Sequence, residues 1–299
     1  MTRKIKFAEA IREGADQCMC KDSSVYIMGL GVPDPTGIFG TTIGLREKHG
    51  EKRVLDMPVS ENGMTGIAIG SALTGMRPIM THQRIDFMLL ALDQIINNAA
   101  KWHYMFGGQL SVPLVLRLLV GQGWGQGPQH SQSLQSIFTH IPGLKVVMPF
   151  TPYDAKGLLT SSIEDNNPVI FIEHRWLHGL FGEVPEESYN VPIGKARIAK
   201  QGKDITIVTS SHMTLETLKA AECLEKDGVE VEVIDLRSLR PLDEDTIVKA
   251  AIETSKVMIV HEDSRRGGLA GEIAAVINER AFDYLDGPIL RVTAPDTPV

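Results

Sequence analysis

The sequence predicts an α/β protein of two domains, each built on a largely parallel sheet flanked by helices. A chain of 299 residues is longer than one ordinary core supports. From Val25 onward, short apolar runs alternate with longer helical patterns. The same alternation restarts after an irregular stretch rich in proline, glycine and acidic residues. We therefore expect a first domain at residues 1–174, a linker at residues 175–197 and a smaller second domain at residues 198–299.

In the first domain, strands are expected at short runs of apolar residues, and helices where apolar or small residues recur at helical spacing. The expected strands are Val25–Gly29, Arg53–Asp56, Pro78–His82, Pro113–Leu118, Lys145–Met148 and Pro168–Glu173. The expected helices are Gly63–Thr74, Phe87–His103, Leu134–His140 and Tyr153–Glu164. Parallel strands joined by helices in this order predict a sheet covered on both faces.

The second domain follows the same pattern, with room for four or five strands. The expected strands are Asp204–Ser210, Val229–Leu236, Lys256–His261 and Pro288–Thr293. The expected helices are Thr214–Asp227, Asp243–Thr254 and Gly268–Tyr284.

Composition excludes several classes of protein. With 43% hydrophobic and 22% charged residues, the chain is typical of globular proteins. A net charge of −7 disfavours a nucleic-acid partner or an anionic membrane surface. No run approaches the roughly twenty apolar residues that span a bilayer. The three cysteines lack the spacing of a zinc or redox motif, so we expect reduced thiols and a cytoplasmic location.

A carboxylate stands where a ligand-facing acid is expected. Glu61 lies between the strand Arg53–Asp56 and a helix rich in glycine and alanine, whose small residues permit close approach of another backbone. An acid at such a junction also serves commonly to cap the helix. The spacing alone leaves both interpretations open.

A glycine-rich segment, Gly121–Pro128, follows the strand Pro113–Leu118 and leads into Gln129–Gln132. Its alternating glycines permit close approach by a ligand, although a surface loop would have the same composition. His130 is a candidate for proton transfer because the unperturbed pKa of histidine is about 6.5. The sequence contains no His-Glu-x-x-His zinc motif and no phosphate-binding loop with lysine.

Nine short segments, in the same order along nearly the whole chain, carry a family resemblance. They are Pro58–Glu61, Gly66–Gly70, Gly75–Ile79, Asp93–Asn97, Gln129–Gln132, Pro142–Val147, Asp154–Leu158, Asp165–Pro168 and Leu239–Asp243. With them the chain resembles the beta subunit of the thiamine-diphosphate-dependent component of 2-oxo acid dehydrogenase complexes, the pyruvate, branched-chain 2-oxo acid and acetoin dehydrogenase group. The resemblance implies a pyrimidine-binding domain followed by a transketolase C-terminal domain.

The resemblance also implies roles for three residues. Glu61 would contact the aminopyrimidine ring of thiamine diphosphate, and Phe87 would lie near that ring, where a core position is the alternative. His130 would assist acyl transfer to a lipoyl group carried by an acyltransferase partner. The implied activity is oxidative decarboxylation of a 2-oxo acid.

The resemblance implies two metal ions, magnesium and potassium. The chain has no Gly-Asp-Gly segment, which the family uses for the magnesium ion on the diphosphate. The magnesium ligands would therefore come mainly from a separate alpha subunit in an α2β2 heterotetramer. The family also holds potassium at positions that match a set of five residues here: Leu114, Ser162, Ile163, Asp165 and Asn167. Without the resemblance, Asp165–Pro168 indicates only a turn.

One segment departs from the family pattern. Where relatives commonly have aromatic residues, this chain has His82 and Arg84, which would face the same side if both lay on a strand. We expect this pair to select a more polar or anionic substrate than pyruvate. The alternative is an ion pair between Arg84 and an acid such as Asp86, or an acid of a subunit neighbour.

Three functions remain open from the sequence. The first is the 2-oxo acid dehydrogenase beta subunit. The second is half of a split transketolase-like enzyme that transfers a two-carbon or acyl unit to another acceptor. The third, a non-catalytic scaffold subunit, is disfavoured by the presence of both Glu61 and His130.

Overall fold

A computed structural model describes residues 2–299, with side chains from residue 3. The strands are β1 (Thr2–Lys6), β2 (Val25–Met28), β3 (Val54–Leu55), β4 (Arg77–His82), β5 (Val115–Val120), β6 (Lys145–Val147), β7 (Val169–His174), β8 (Phe181–Pro185), β9 (Arg197–Lys200), β10 (Ile205–Thr209), β11 (Val231–Asp235), β12 (Ser238–Arg240), β13 (Val257–Ser264) and β14 (Leu290–Ala294). The α-helices are α1 (Phe7–Lys21), α2 (Leu45–His49), α3 (Glu61–Leu73), α4 (Ile85–Met88), α5 (Trp102–Met105), α6 (Gln135–Thr139), α7 (Pro152–Glu164), α8 (His212–Lys226), α9 (Glu244–Thr254) and α10 (Leu269–Ala281).

Two mostly parallel sheets form the framework. The larger has seven strands in the order β12-β6-β7-β5-β4-β2-β3, in which only β12 runs antiparallel to its neighbour. The smaller has five strands in the order β14-β13-β10-β11-β9, with β9 antiparallel. The predicted α/β architecture is confirmed, including the four strands expected in the second domain.

Both faces of the seven-stranded sheet are covered, as its apolar strands require. One face packs against α1 and α7 through fully buried residues such as Ile11 and Leu158. The other face packs against α3 and the segment that follows α4, where Ile69 and Ile95 are buried. This arrangement leaves the loops at the carboxyl ends of the strands free to carry polar side chains.

The segment expected as the helix Phe87–His103 is helical over most of its length, but it is not one regular α-helix. Helix α4 gives way to a 3₁₀ turn at Leu89–Ala91 and then to a π-helical stretch at Gln94–Ala99. The amide of Ala100 donates to the carbonyl of Ile95, five residues earlier, which is the wider π spacing. The wider turn changes which side chains face the sheet, so a regular 3.6-residue period does not describe this segment.

Helix α1 and the pair of strands β1 and β8, which were not predicted from the sequence, stabilise the first domain. Helix α1 lies against α7, where Lys156 is buried and donates to Glu13 at 2.6 Å and to the carbonyl of Pro185 at 2.7 Å. Strand β8, inside the expected linker, pairs antiparallel with β1. The linker region is therefore largely ordered against the first domain, and the boundaries at residues 174 and 198 stay a prediction.

The two sheets are joined by strand β12 and by buried charges. β12 lies in the expected second domain but pairs with β6 of the first sheet. Asp154 is fully buried on α7 and accepts a hydrogen bond from Arg237 at 3.2 Å, with Arg197 at 3.4 Å. Among residues 2–299, no helix is both long and apolar enough to cross a membrane.

Candidate active site at the carboxyl edge of the first sheet

Three predicted site residues follow three parallel strands of the first sheet. Glu61 follows β3, Phe87 follows β4 and His130 follows β5. The carboxyl ends of parallel strands meet at one edge, where open α/β sheets commonly bind ligands. The fold therefore places all three residues on the same edge of the sheet.

Glu61 is buried but has no partner in the part of the chain that the structure describes. It is the first residue of α3, only 8% exposed, and its carboxylate forms no hydrogen bond or ion pair there. Asp56 accepts from the amides of Met57 and Gly31, each at 2.9 Å, and so holds the preceding loop. The N-terminus of α3 favours a negative charge at this position. A largely buried carboxylate without a protein partner is suited to a donor group on a ligand.

Helix α3 packs against the π-helical stretch at Gly66. A methyl group placed there would lie 3.4 Å from the side-chain oxygen of Gln94, which is ordinary van der Waals contact. The expectation that the small residues of α3 permit close approach of another backbone stays a prediction.

Two segments at this edge are held together at three points. The ring centroids of Phe87 and His130 are 5.4 Å apart and nearly perpendicular. On either side of this contact, Arg84 donates to Gln126 at 2.9 Å, and Gln132 donates to Asp86 at 2.7 Å. The structure thus brings Phe87 and His130 together, whereas no hydrogen bond or ion pair joins Glu61 to either of them.

The glycine-rich segment is docked against the end of β7. Trp124 stacks on Trp176 with ring centroids 4.1 Å apart, and the indole of Trp176 donates to the carbonyl of Gln122 at 2.9 Å. Gly123 and Gly125 adopt φ values of 84° and 68°, which L side chains rarely adopt. The glycines therefore serve to fold the loop back onto residues after β7.

The structure separates His82 from Arg84. Strand β4 ends at His82, so the premise that both residues lie on one strand is wrong. His82 is buried, and burial lowers its pKa to about 4, which makes it a neutral side chain at pH 7. Arg84 precedes α4 and is 5% exposed. The alternative pairing with Asp86 is not formed among the described residues.

Two residues near Arg84, namely Phe39 and Arg175, were not predicted from the sequence. The guanidinium carbons of Arg84 and Arg175 lie 5.3 Å and 4.4 Å from the ring centroid of Phe39. Arg175 directly follows β7 and was assigned to the linker. The rule that ligand-facing residues follow parallel strands would have identified it, but the loop carrying Phe39 has no comparable signal.

The predicted potassium residues lie together at the end of α7, near two basic side chains. Arg77 donates to the carbonyls of Ile163 at 2.9 Å and Asp165 at 3.1 Å. Asp165 also pairs with Lys145, and it accepts from the amide of Asn167 at 2.8 Å, which is an Asx turn. Burial opposes ionisation of Asp165, but the Lys145 ammonium keeps its pKa below the usual value.

The remaining two predicted potassium residues are already engaged. The hydroxyl of Ser162 donates to the carbonyl of Leu158 at 2.7 Å, and the carbonyl of Leu114 accepts from the amide of Val169 at 2.9 Å. Two side-chain cations and the turn account for this cluster as it stands. A potassium ion there stays a prediction.

The chain has a mostly parallel α/β domain followed by a second α/β domain, and comparison with known families assigns both to the transketolase class of folds. Residues 3–179 match the family described as "Transketolase, pyrimidine binding domain", and residues 194–299 match "Transketolase, C-terminal domain". A solved structure described as "Split gene transketolase, inactive beta4 tetramer" superposes with a TM-score of 0.81 over 98% of this chain and 90% of that chain, at 23% identity. That likeness supports the fold.

Curated relatives narrow the class. The chain is 47% identical to the beta subunit of acetoin:2,6-dichlorophenolindophenol oxidoreductase from Cupriavidus necator, over 100% of this chain and 91% of the relative. It is 46% identical to the pyruvate dehydrogenase E1 component subunit beta of Gracilaria tenuistipitata, over 100% of this chain and 92% of the relative. It is 44% identical to the 2-oxoisovalerate dehydrogenase subunit beta of Bacillus subtilis, over 98% of this chain and 90% of the relative. The chain belongs to the transketolase-like family of beta subunits of heteromeric 2-oxo acid dehydrogenase E1 components, as the resemblance predicted.

Proposed function

We propose that this chain is the beta subunit of a heteromeric, thiamine-diphosphate-dependent 2-oxo acid dehydrogenase. The observation that carries the proposal is Glu61, a largely buried residue at the carboxyl edge of the first sheet whose carboxylate has no hydrogen-bonding partner among the described residues. The family and the curated relatives support the same activity. Enzymes of this kind decarboxylate a 2-oxo acid and transfer the acyl group to a lipoyl acceptor.

The residues at the edge suit the cofactor. Thiamine diphosphate, when bound, supplies a carbon nucleophile and an electron sink for the decarboxylation. Glu61 would hold a ring nitrogen of the aminopyrimidine by a hydrogen bond and so increase the basicity of the exocyclic nitrogen. Phe87 offers an aromatic surface beside that ring. These roles follow from the family resemblance, and the burial of Glu61 supports the first of them.

His130 would move a proton during acyl transfer. Its ring is half-buried and lies against Phe87, and no described residue forms a hydrogen bond with its side chain. Ring nitrogens without a partner among the described residues are available to donate to a ligand or accept from it. The contact with Phe87 fixes the position of the ring.

The proposal requires partners. An alpha subunit would supply the magnesium ligands in an α2β2 heterotetramer, and a lipoyl-bearing acyltransferase would accept the acyl group. We also propose the potassium ion at the end of α7, in competition with Arg77 and Lys145 for the same oxygens.

The test is 2-oxo acid-dependent reduction of an artificial electron acceptor by the complex of this chain with its co-expressed alpha subunit. We expect turnover that requires both thiamine diphosphate and magnesium. A stable complex that is inactive with every 2-oxo acid, but forms carbon–carbon bonds with an aldehyde acceptor, would replace the proposal with the split transketolase-like function. A complex inactive in both assays would leave the scaffold role.

A further inference from the structure

Two arginine side chains approach one aromatic ring at the carboxyl edge. The guanidinium carbons of Arg84 and Arg175 lie 5.3 Å and 4.4 Å from the centroid of Phe39, and Arg175 also lies 5.0 Å from the centroid of Trp124. Within residues 2–299, no carboxylate forms an ion pair with either arginine. Arg84 is buried and Arg175 is half-buried, so two like charges meet at one ring.

Such an arrangement is unfavourable unless an anion completes it. Burial lowers the pKa of Arg84, as does the charge of Arg175, whereas the charge of Asp86 raises it; burial also lowers the pKa of Arg175. Arginine nevertheless stays protonated in proteins, so both charges persist. Asp86 accepts from the side chain of Gln132 and forms no ion pair with Arg84 among the described residues. One buried and one half-buried guanidinium, neither in an ion pair with a described residue, are suited to an anionic ligand.

The backbone around Phe39 supports a built site. Phe39 has a φ of 51°, which is unusual for a bulky residue and recurs at ligand-binding positions. Its loop is fixed by Thr41, whose hydroxyl accepts from the fully buried Arg117 at 2.9 Å. The ring is therefore held in position independently of the two arginines.

Donor groups remain available for a ligand. Arg84 uses its side chain in three hydrogen bonds, two to Gln126 and one at 3.1 Å to the carbonyl of Gln83. Among the described residues, the one hydrogen-bond contact of the Arg175 side chain is with His178, at 3.4 Å. Each guanidinium carries five N–H donors, so both retain donors for the paired oxygens of a carboxylate.

The arginines lie next to the proposed catalytic residues. Arg84 is three residues before Phe87, and its partner Gln126 is four residues before His130. The same two segments thus position the Phe87–His130 contact and Arg84, and Trp124 of the second segment contacts Arg175. A ligand bound near His130 would extend towards the guanidinium groups.

The chemistry decides which acidic group they would bind. The carboxylate that leaves as carbon dioxide loses its charge during the reaction, so two guanidinium groups on it would stabilise the ground state more than the transition state. A second, distal carboxylate keeps its charge throughout. Binding that group costs nothing in the chemical step.

We propose that Arg84 and Arg175, together with Phe39, form a subsite for the distal carboxylate of a dicarboxylic 2-oxo acid. This inference rests on the proposed function and names its substrate class. It also revises the expected role of His82, which is neutral and buried and adds no charge to the subsite.

The test compares diacids with matched monoacids in the complex with the alpha subunit. The probes are 2-oxoglutarate and 2-oxoadipate against 2-oxopentanoate and 2-oxohexanoate, in which a methyl group replaces the distal carboxylate. We expect higher kcat/KM for the diacids, and a fall of about tenfold or more in the diacid-to-monoacid ratio in Arg175→Gln, since a charge-assisted hydrogen bond is lost. Arg175→Lys should restore part of the ratio. Arg46→Gln, which removes an exposed arginine paired with Glu51, should leave the ratio unchanged.

Binding of an unreactive diacid separates this inference from the proposed function. Glutarate, but not pentanoate, should raise the unfolding midpoint of the complex, and Arg175→Gln should remove the effect. Turnover of monoacids without preference for diacids, and no glutarate effect, would overturn the subsite and leave the proposed function intact. Arginine-dependent glutarate binding without turnover of any 2-oxo acid would support the subsite and overturn the proposed function. Loss of alpha-subunit association in Arg175→Gln would instead assign the arginines to an acid of the partner and overturn the subsite.

Discussion

Two buried arginines, Arg117 and Arg84, contact the same loop, at Thr41 and at Phe39, and differ in their partners. Arg117 is fully buried and binds Glu173 through two hydrogen bonds, at 2.6 Å and 3.0 Å. Arg84 is nearly as buried but lies beside Arg175, with no ion-pair partner in the described chain. Within this domain, a charge that only supports the fold is neutralised by the protein itself. A charge left without a partner, as at Arg84 and Glu61, indicates a ligand.

The pair of Arg117 and Glu173 shows how strongly an opposite charge acts in the core. Burial alone would raise the pKa of Glu173, but the charge of Arg117 and the adjacent His178, whose Nε2 lies 3.3 Å from the carboxylate, lower it to about 2. This carboxylate therefore stays ionised in the core at all physiological pH values. Substitutions at the paired site should affect stability, and substitutions at unpaired sites should affect activity.

The largest expected effect is on activity at Glu61. Glu61→Ala should reduce kcat by about 10²–10⁴-fold, because the variant loses the group that promotes proton transfer on the cofactor. The unfolding midpoint should stay close to that of the unmodified protein, since Glu61 has no partner to lose in the part of the chain that the structure describes. Glu51→Ala, an exposed carboxylate, is the control and should retain full activity. Equal activity in the two variants would contradict the comparison.

The second effect is on stability at Arg117. Arg117→Met should lower the free energy of unfolding by about 3–5 kcal/mol in urea titrations, because Glu173 is left as a buried charge without its partner. Arg46→Met removes an exposed pair and should change it by less than about 1 kcal/mol. Adding Glu173→Gln to Arg117→Met should recover part of the loss. A small effect at Arg117 would show that neutralisation does not support this fold.

The third effect concerns a buried group that stays neutral. His261 in β13 is fully enclosed, neither ring nitrogen has a partner among the described residues, and burial lowers its pKa to about 4. As the pH falls from 6.5 to 4, the unfolded chain takes up a proton that the folded chain does not. Stability should therefore decline by about 3 kcal/mol across this window on account of His261. His261→Leu should flatten the decline in unfolding free energy, whereas the exposed His103→Gln should not. An unchanged slope in His261→Leu would contradict this assignment.

The smallest expected effect concerns the potassium ion. If it binds at the end of α7, potassium chloride should raise the unfolding midpoint above its value in sodium chloride of equal ionic strength. Asp165→Asn should remove the difference. Identical midpoints in the two salts would show that Arg77 and Lys145 alone satisfy these oxygens.

Much of the fold could be predicted because its signals are local. The six strands expected in the first domain follow from short apolar runs, and each is present within three residues of its expected ends. Helix α1 was overlooked although its buried residues Phe7, Ile11 and Cys18 keep helical spacing, so the signal was available. The π-helical stretch at Gln94–Ala99 was not predictable, since no glycine or proline marks it. The pairing of β1 with β8 joins segments far apart in sequence and has no local signal.

The residues of the candidate site also divide into those with a local sequence signal and those without one. Glu61, Phe87 and His130 could be identified because short motifs surround them. The arginine pair could not, because Arg84, Arg175 and Phe39 come from three separate loops that only the folded sheet brings together. Whether a buried charge has a partner is a property of the tertiary structure, and the sequence shows only that the charge exists.

The most direct test of the account is the stabilisation of the alpha–beta complex by thiamine diphosphate and magnesium, measured as a shift in the unfolding midpoint for the unmodified protein and for Glu61→Gln. The account predicts equal midpoints for the two proteins without cofactor, and a shift on adding cofactor that is large in the unmodified protein and much reduced in Glu61→Gln. A midpoint already lowered without cofactor, or an undiminished shift in the variant, would show that Glu61 supports the fold rather than the cofactor.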